Sequence, residues 1–191
     1  MAEPAIRAMS LDEFLCWDDG TDTRYELIGG FPVAMAPPAE AHGTLALQLG
    51  SRIDAAPSRR RPCRAPVEAG IIRADRADTF FVADIAATCA PTEFGRHAIQ
   101  DPFLIIEILS PSTERHDRRL KLPVYRQIAS VQEIVLIAAD ALYAELHRRS
   151  GDQWITEILR GEAAILSLQS VPAEFRLDEL YEGIALSDAE D

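Results

Sequence analysis

Apolar positions change their spacing several times along the 191-residue chain, and each change marks an element. Ser10-Leu-Asp-Glu13 has the S-x-x-E spacing of a capping box and opens a short helix through Leu11, Phe14 and Leu15. Short apolar runs at 25–28 and 31–35 flank Gly29-Gly30, which predicts a hairpin, and Pro37-Pro38 ends it. Between residues 40 and 55, Leu45, Leu49 and Ile53 recur at i, i+4 and i+8, the pattern of an amphipathic helix. Strands are expected at 67–72, 79–85 and 102–109. The last is the most apolar run in the chain and reads as a buried central strand. Ser110-Pro-Ser-Thr113 breaks it, and a basic helix follows over 114–128 with Pro123 as an obstacle in its interior. Strands at 133–138, 143–148, 154–159 and 164–168 and a short helix at 177–181 complete the series. This order predicts an α/β fold of the α+β kind, a mixed sheet flanked by helices on both faces. No repeat or long linker divides it, so residues 1–191 read as one domain.

Composition narrows the function classes. No run of eighteen apolar residues occurs, so no membrane span is expected. Residues 1–14 lack the basic start and apolar core of a signal peptide. Cys16, Cys63 and Cys89 lie far apart without a C-x-x-C pair. That argues against a disulfide framework or a cysteine zinc site and fits a cytoplasmic location.

The net charge of −12, taken whole, argues against a nucleic-acid partner. Its distribution changes that reading. Residues 1–50 sum to −6 and residues 152–191 to −8, whereas 51–76 sum to +4 and 101–127 to +1. A polyanion would meet the middle of the chain. There Arg59, Arg60, Arg61 and Arg64 read either as a solvated loop or as a grip on a phosphate backbone, salt-sensitive and blind to sequence. Eighteen of the nineteen basic residues are arginine, and Lys121 is the sole lysine. Arginine cannot replace an ammonium group where compact geometry matters, so this one lysine is either an ordinary surface residue or a retained functional one.

Glu107 is the anomaly, a carboxylate inside Phe103-Leu-Ile-Ile-Glu-Ile-Leu109. Left unpaired and buried it would cost several kcal/mol. A strand-end position reaching solvent, a buried arginine, protonation or a metal ion would each relieve it. Asp84 is a second carboxylate carried by an apolar strand. Two such groups and a backbone carbonyl match the way Mg²⁺ takes a few protein oxygens and keeps water for the rest. A lysine beside them would orient an attacking water and stabilise developing negative charge. Asp84, Glu107 and Lys121 therefore make a metal-dependent phosphodiesterase constellation.

Competing motifs are weaker. Ser110, Ser112 and His116 lack a G-x-S-x-G turn, and Ser112 or Thr113 reads better as a helix N-cap. His42, His97, His116 and His147 show no metal-ligand spacing, and no H-E-x-x-H or phosphate-binding loop occurs.

The segments Tyr25-Glu-Leu-Ile-Gly-Gly, Ala41-His42, Val82-Ala-Asp-Ile85, Ile106-Glu-Ile-Leu-Ser-Pro-Ser-Thr113 and Asp117-x-x-x-Lys121-x-x-x-Tyr125 occur in an order that resembles the Uma-two restriction endonuclease family. That family is a branch of the PD-(D/E)XK nuclease superfamily, and the likeness runs over about residues 10–180. It implies a restriction-endonuclease-like core and a Mg²⁺- or Mn²⁺-dependent endonuclease acting on DNA, with a homodimer or partner needed for target choice because no second specificity domain is visible. It implies Asp84, Glu107 and the Ile108 carbonyl as metal ligands and Lys121 as the water-orienting group. Glu26 and His42 fall at catalytic-site positions, and Asp117 and Tyr125 at i−4 and i+4 from Lys121 support it. Arg118 joins the arginine cluster as a DNA contact. Leu109 stands where the superfamily usually places its lysine, and Lys121, on the following helix, takes its place. Ala83 replaces a proline before the aspartate, and Glu133-Ile-Val135 replaces a more aromatic stretch. The alternative is a nuclease-fold module that no longer cuts and acts in binding or assembly.

Overall fold

The computed structural model describes residues 7–56, 63–73 and 75–186. A six-stranded sheet runs in the order β3 (Val67–Ile71), β4 (Phe81–Ala87), β5 (Leu104–Leu109), β6 (Glu133–Ala138), β7 (Tyr143–Ser150), β8 (Gln153–Arg160). All neighbours are antiparallel except β5 and β6, which are parallel, so the chain between them must cross over the sheet. That crossover is a helical segment of three parts: α3 (Glu114–His116), a π-turn (Asp117–Lys121) and α4 (Leu122–Tyr125). The mixed, two-faced architecture expected from the chain is the one observed.

Each strand sorts its side chains by parity. On β5, Leu104, Ile106 and Ile108 enter a core shared with Leu45, Leu49 and Ile53 of α2 (Glu40–Asp54). Into the same core reach β9 (Ile165–Leu168), β10 (Ala173–Arg176) and α5 (Leu177–Leu180). Ile105 and Leu109 enter the opposite core, with Leu122 and Tyr125 of the crossover helix. Glu107 has the parity of this second core, which is why the crossover helix is its neighbour.

β4 breaks parity at Asp84. Phe81 and Ala83 lie in the crossover-helix core, whereas Ile85 and Ala87 lie in the α2 core. The register with β3 is unbroken through this turn-over, with Ala69 opposite Ala83 and Val67 opposite Ile85. Glu68, between those partners, has φ of 50° in the left-handed region, so both strands turn over together.

The N-terminal hairpin forms as expected. β1 (Tyr25–Ile28) and β2 (Phe31–Ala34) close through Gly29 and Gly30, both at positive φ, as a two-residue turn of this kind requires. A bridge from Leu27 to Phe80 fixes the hairpin beside β4. α1 (Leu11–Leu15) starts at the Ser10–Glu13 capping box.

Two expectations need correction, and one strand was not foreseen. The basic helix expected over 114–128 is widened at 117–121 and ends at Tyr125. Pro123 has no N–H for the α-ladder, and Leu122 N–H bonds to the Asp117 carbonyl one residue further back than an α-helix allows. The Arg149 guanidinium then takes the carbonyls of Arg126, Ile128 and Val131 beyond the end. β10 had no strand signal, because Phe175 is its sole large apolar residue. Finally, Cys63 and Cys89 form a disulfide, against the expectation of unpaired cysteines. Arg64 and Thr88 exchange both backbone hydrogen bonds, which brings the flanking Cys63 and Cys89 face to face despite a separation of 26 positions in sequence. Cys16 is free and exposed. No helix among the described residues is long and apolar enough to cross a membrane.

Candidate active site

The β4–β5 ladder pairs Ala87, Ala86 and Ile85 with Leu104, Ile105 and Ile106, then stops. The next opposed residues are Asp84 and Glu107. Where the ladder ends, Ile108 N–H donates to Asp84 Oδ2 at 2.6 Å, so the carboxylate takes a main-chain donor in place of a strand partner. A strand residue sends its N–H and C=O to the same side, which turns the Ile108 carbonyl toward Asp84 as well. His42, in the first turn of α2, lies with Nε2 3.2 Å from the same Asp84 oxygen, and this hydrogen bond raises its pKa.

Lys121 stands at the centre of the second group. Its Nζ donates to the Val82 carbonyl at 3.0 Å and lies 3.0 Å from Glu26 Oε1, 3.3 Å from Glu107 Oε1 and 3.4 Å from Asp117 Oδ1. Burial works against its charged form, but the Glu107, Glu26 and Asp117 carboxylates hold its pKa above the ordinary lysine value. The ammonium stays charged. The carboxyl that most resists ionisation is Glu107, 1% exposed: burial pushes it well above the usual range, Lys121 opposes that shift, and Asp84 and Asp117 add to it. Burial likewise raises Asp117. Glu26 goes the other way. Burial alone would raise it, yet the His116 hydrogen bond, the Lys121 charge and the Val82 N–H together hold it below the usual range.

Tyr125 donates its hydroxyl to Glu107 Oε1 at 2.6 Å. Lys121 and Tyr125 thus meet Glu107 from one face of the crossover helix, and Asp117 on the same face meets Lys121, as their spacing of four predicts. The relief of Glu107 is therefore neither solvent nor an arginine but Lys121 and Tyr125. Asp84, Glu107, Lys121, Glu26, His42, Asp117 and Tyr125 all converge here.

The arginines fare differently. Arg59, Arg60 and Arg61 lie outside the described residues. Arg64 turns its guanidinium onto the Ala90 carbonyl. Arg118, expected on DNA, is held by Glu114 Oε1 at 2.8 Å and Glu145 Oε1 at 2.5 Å. Its charge is already matched within the fold.

Two participants escaped the sequence reading. His116 Nε2 lies 2.9 Å from Glu26 Oε2, and the Val82 carbonyl holds Lys121. α-Periodicity puts residues 116 and 121 on different faces; only the wider π-turn, legible from Pro123, brings the two alongside.

The donor chemistry fits a hard divalent cation. Three carboxyl groups, from Glu26, Glu107 and Asp117, surround a single ammonium, and Asp84 stands beside them where the ladder ends. Among the described residues no three His, Cys, Asp or Glu side chains gather as a metal-holding group. Mg²⁺ asks for less, one or two carboxylates with water completing the shell. Asp84 and Glu107 supply that number.

A family model described as "Uma2: Putative restriction endonuclease" matches residues 11–179. The chain belongs to the Uma2 family. An uncharacterized protein of Synechocystis sp. is 26% identical over 184 residues, covering 93% of each chain. A second Synechocystis protein, also uncharacterized, is 26% identical over 168 residues, 86% of this chain and 94% of its own. The crystal structure of a putative nuclease belonging to DUF820 from Anabaena variabilis superimposes with a TM-score of 0.75 at 22% identity, covering 91% of this chain and 98% of that one. The fold is thus restriction-endonuclease-like, and the Uma2 match spans every residue of the converged site.

Proposed function

We propose that this Uma2 protein is a metal-dependent endonuclease that hydrolyses phosphodiester bonds in DNA. The observation that carries the reading is the placement of Asp84 and Glu107 where the β4–β5 ladder ends, with the sole lysine of the chain on Glu107. Asp84, Glu107 and the Ile108 carbonyl would hold Mg²⁺ or Mn²⁺, which when bound polarises a phosphate oxygen and lowers the pKa of a water. Lys121 supplies a fixed positive charge beside the attacked phosphate, and its ammonium can orient the attacking water. Glu26 and Asp117 hold that ammonium in place, and Tyr125 fixes the Glu107 carboxyl. His42, hydrogen-bonded to Asp84, fixes that side chain and can carry a proton at its ring nitrogen. Target choice rests in this proposal on a homodimer, which sedimentation at micromolar concentration would show.

The test is incubation of supercoiled plasmid and of single-stranded DNA with purified protein and Mg²⁺ or Mn²⁺. Nicking that stops with a chelator supports the reading. DNA left intact under every divalent metal overturns it and favours the binding or assembly module, whose carboxyl at Glu107 is already sealed by Tyr125 and Lys121.

A further inference from the structure

We propose that His116 is a positioning residue of this centre, setting the place of the Lys121 ammonium through the Glu26 carboxylate. The catalytic consequence rests on the nuclease reading; the geometric claim does not. Glu26 belongs to β1, in the N-terminal hairpin that meets β4 through the Leu27–Phe80 bridge, and its carboxylate is placed by contacts with β4 and the crossover helix. Its two oxygens have separate partners. Oε1 accepts from Val82 N–H at 2.9 Å and lies 3.0 Å from Lys121 Nζ. Oε2 meets His116 Nε2 at 2.9 Å. An ionised carboxylate only accepts, so Nε2 carries the proton and donates.

The terminal torsion of a glutamate is broad, and one oxygen held alone leaves the other free to swing. His116 closes that freedom. Its ring is itself placed edge-on to Phe81, with centroids 6.3 Å apart and planes at 88°. Phe81 precedes Val82, whose N–H and carbonyl hold Glu26 and Lys121 respectively. The chain of contacts therefore closes on itself: Phe81 places His116, His116 places Glu26, and Glu26 with Val82 places Lys121. The His116 side chain is 27% exposed, which makes its replacement tolerable to the fold, unlike that of Glu26 or Lys121.

The sole lysine makes the test site-specific. Protein grown with ¹³C-lysine shows one lysine ε-methylene resonance, that of Lys121, with no assignment to dispute. His116→Ala is expected to shift and broaden this resonance, and His116→Gln, whose amide nitrogen can occupy the place of Nε2, to restore it. In single-substrate DNA cleavage His116→Ala is expected to lower kcat about 10-fold or more with KM unchanged, the scale for groups that orient a catalytic side chain, and His116→Gln to recover most of the loss. An unmoved Lys121 resonance in His116→Ala overturns the inference. If wild-type protein cleaves no DNA, the nuclease reading fails, and the resonance alone decides whether His116 positions Lys121.

Discussion

The Tyr125 hydroxyl donates to Glu107 Oε1 across 2.6 Å, and both side chains are buried. Tyr125→Phe keeps the ring in its core and deletes this donor, leaving a buried carboxyl short of one partner. The expected cost is about 1–3 kcal/mol of unfolding free energy, read by urea denaturation with unchanged far-UV dichroism. A variant as stable as the wild type would mean that the contact does not hold Glu107.

Lys121→Met should cost more. It leaves Glu26, Glu107 and Asp117 facing one another around an apolar side chain. Breaking a buried ion pair from one side costs roughly 3–5 kcal/mol. Glu26→Gln added to Lys121→Met removes one of the stranded charges, so the double variant should be more stable than the sum of the two single losses. Strict additivity in denaturation would contradict the cluster.

The site was more legible in the sequence than its surroundings. Asp84, Glu107 and Lys121 stood out because each violates its context: two carboxylates in apolar strands, and one lysine among eighteen arginines. The central strand and the Gly29-Gly30 hairpin followed from local pattern. His116 and the Cys63–Cys89 bond did not, since one depends on a widened helical turn and the other joins cysteines 26 positions apart in sequence. The charge count showed Arg118 but not its partners Glu114 and Glu145, which tertiary structure supplies. Local rules reach residues that break a pattern, and fail where tertiary pairing assigns the partner.

His147 should make stability depend on pH. Burial, with Arg126 nearby, lowers its pKa to about 4, while Glu145 opposes the shift. Nδ1 lies 3.0 Å from Arg126 Nη2 and 2.8 Å from Thr156 Oγ1; Nε2 is 3.3 Å from Glu145 Oε2. The folded state therefore favours the neutral ring. Its contribution is fully present above pH 6.5, the unfolded value, and is lost as pH falls from there toward 4, where the folded form also protonates. The loss is of order 1–3 kcal/mol. Chemical denaturation of wild type and His147→Gln between pH 4 and 7.5 should show a steeper fall in the wild type. Parallel profiles would contradict the assignment.

Reducing the Cys63–Cys89 bond should destabilise the fold. Closing a loop whose ends are 26 positions apart restricts the unfolded chain, worth about 3–4 kcal/mol in the chain-entropy model. Melting with and without reductant should differ by several degrees, and Cys63→Ser should abolish the difference. Equal melting temperatures would contradict the prediction.

Single-turnover cleavage of plasmid DNA in Mn²⁺, comparing wild type with Glu107→Gln and Asp84→Asn, tests the central claim most directly. Each substitution keeps a hydrogen-bonding oxygen and removes one carboxylate charge. The account predicts cleavage by the wild type and a loss of at least about 100-fold in both variants, in the range expected when a principal electrostatic contribution is removed. Intact DNA with the wild type, or equal rates in all three proteins, would contradict it.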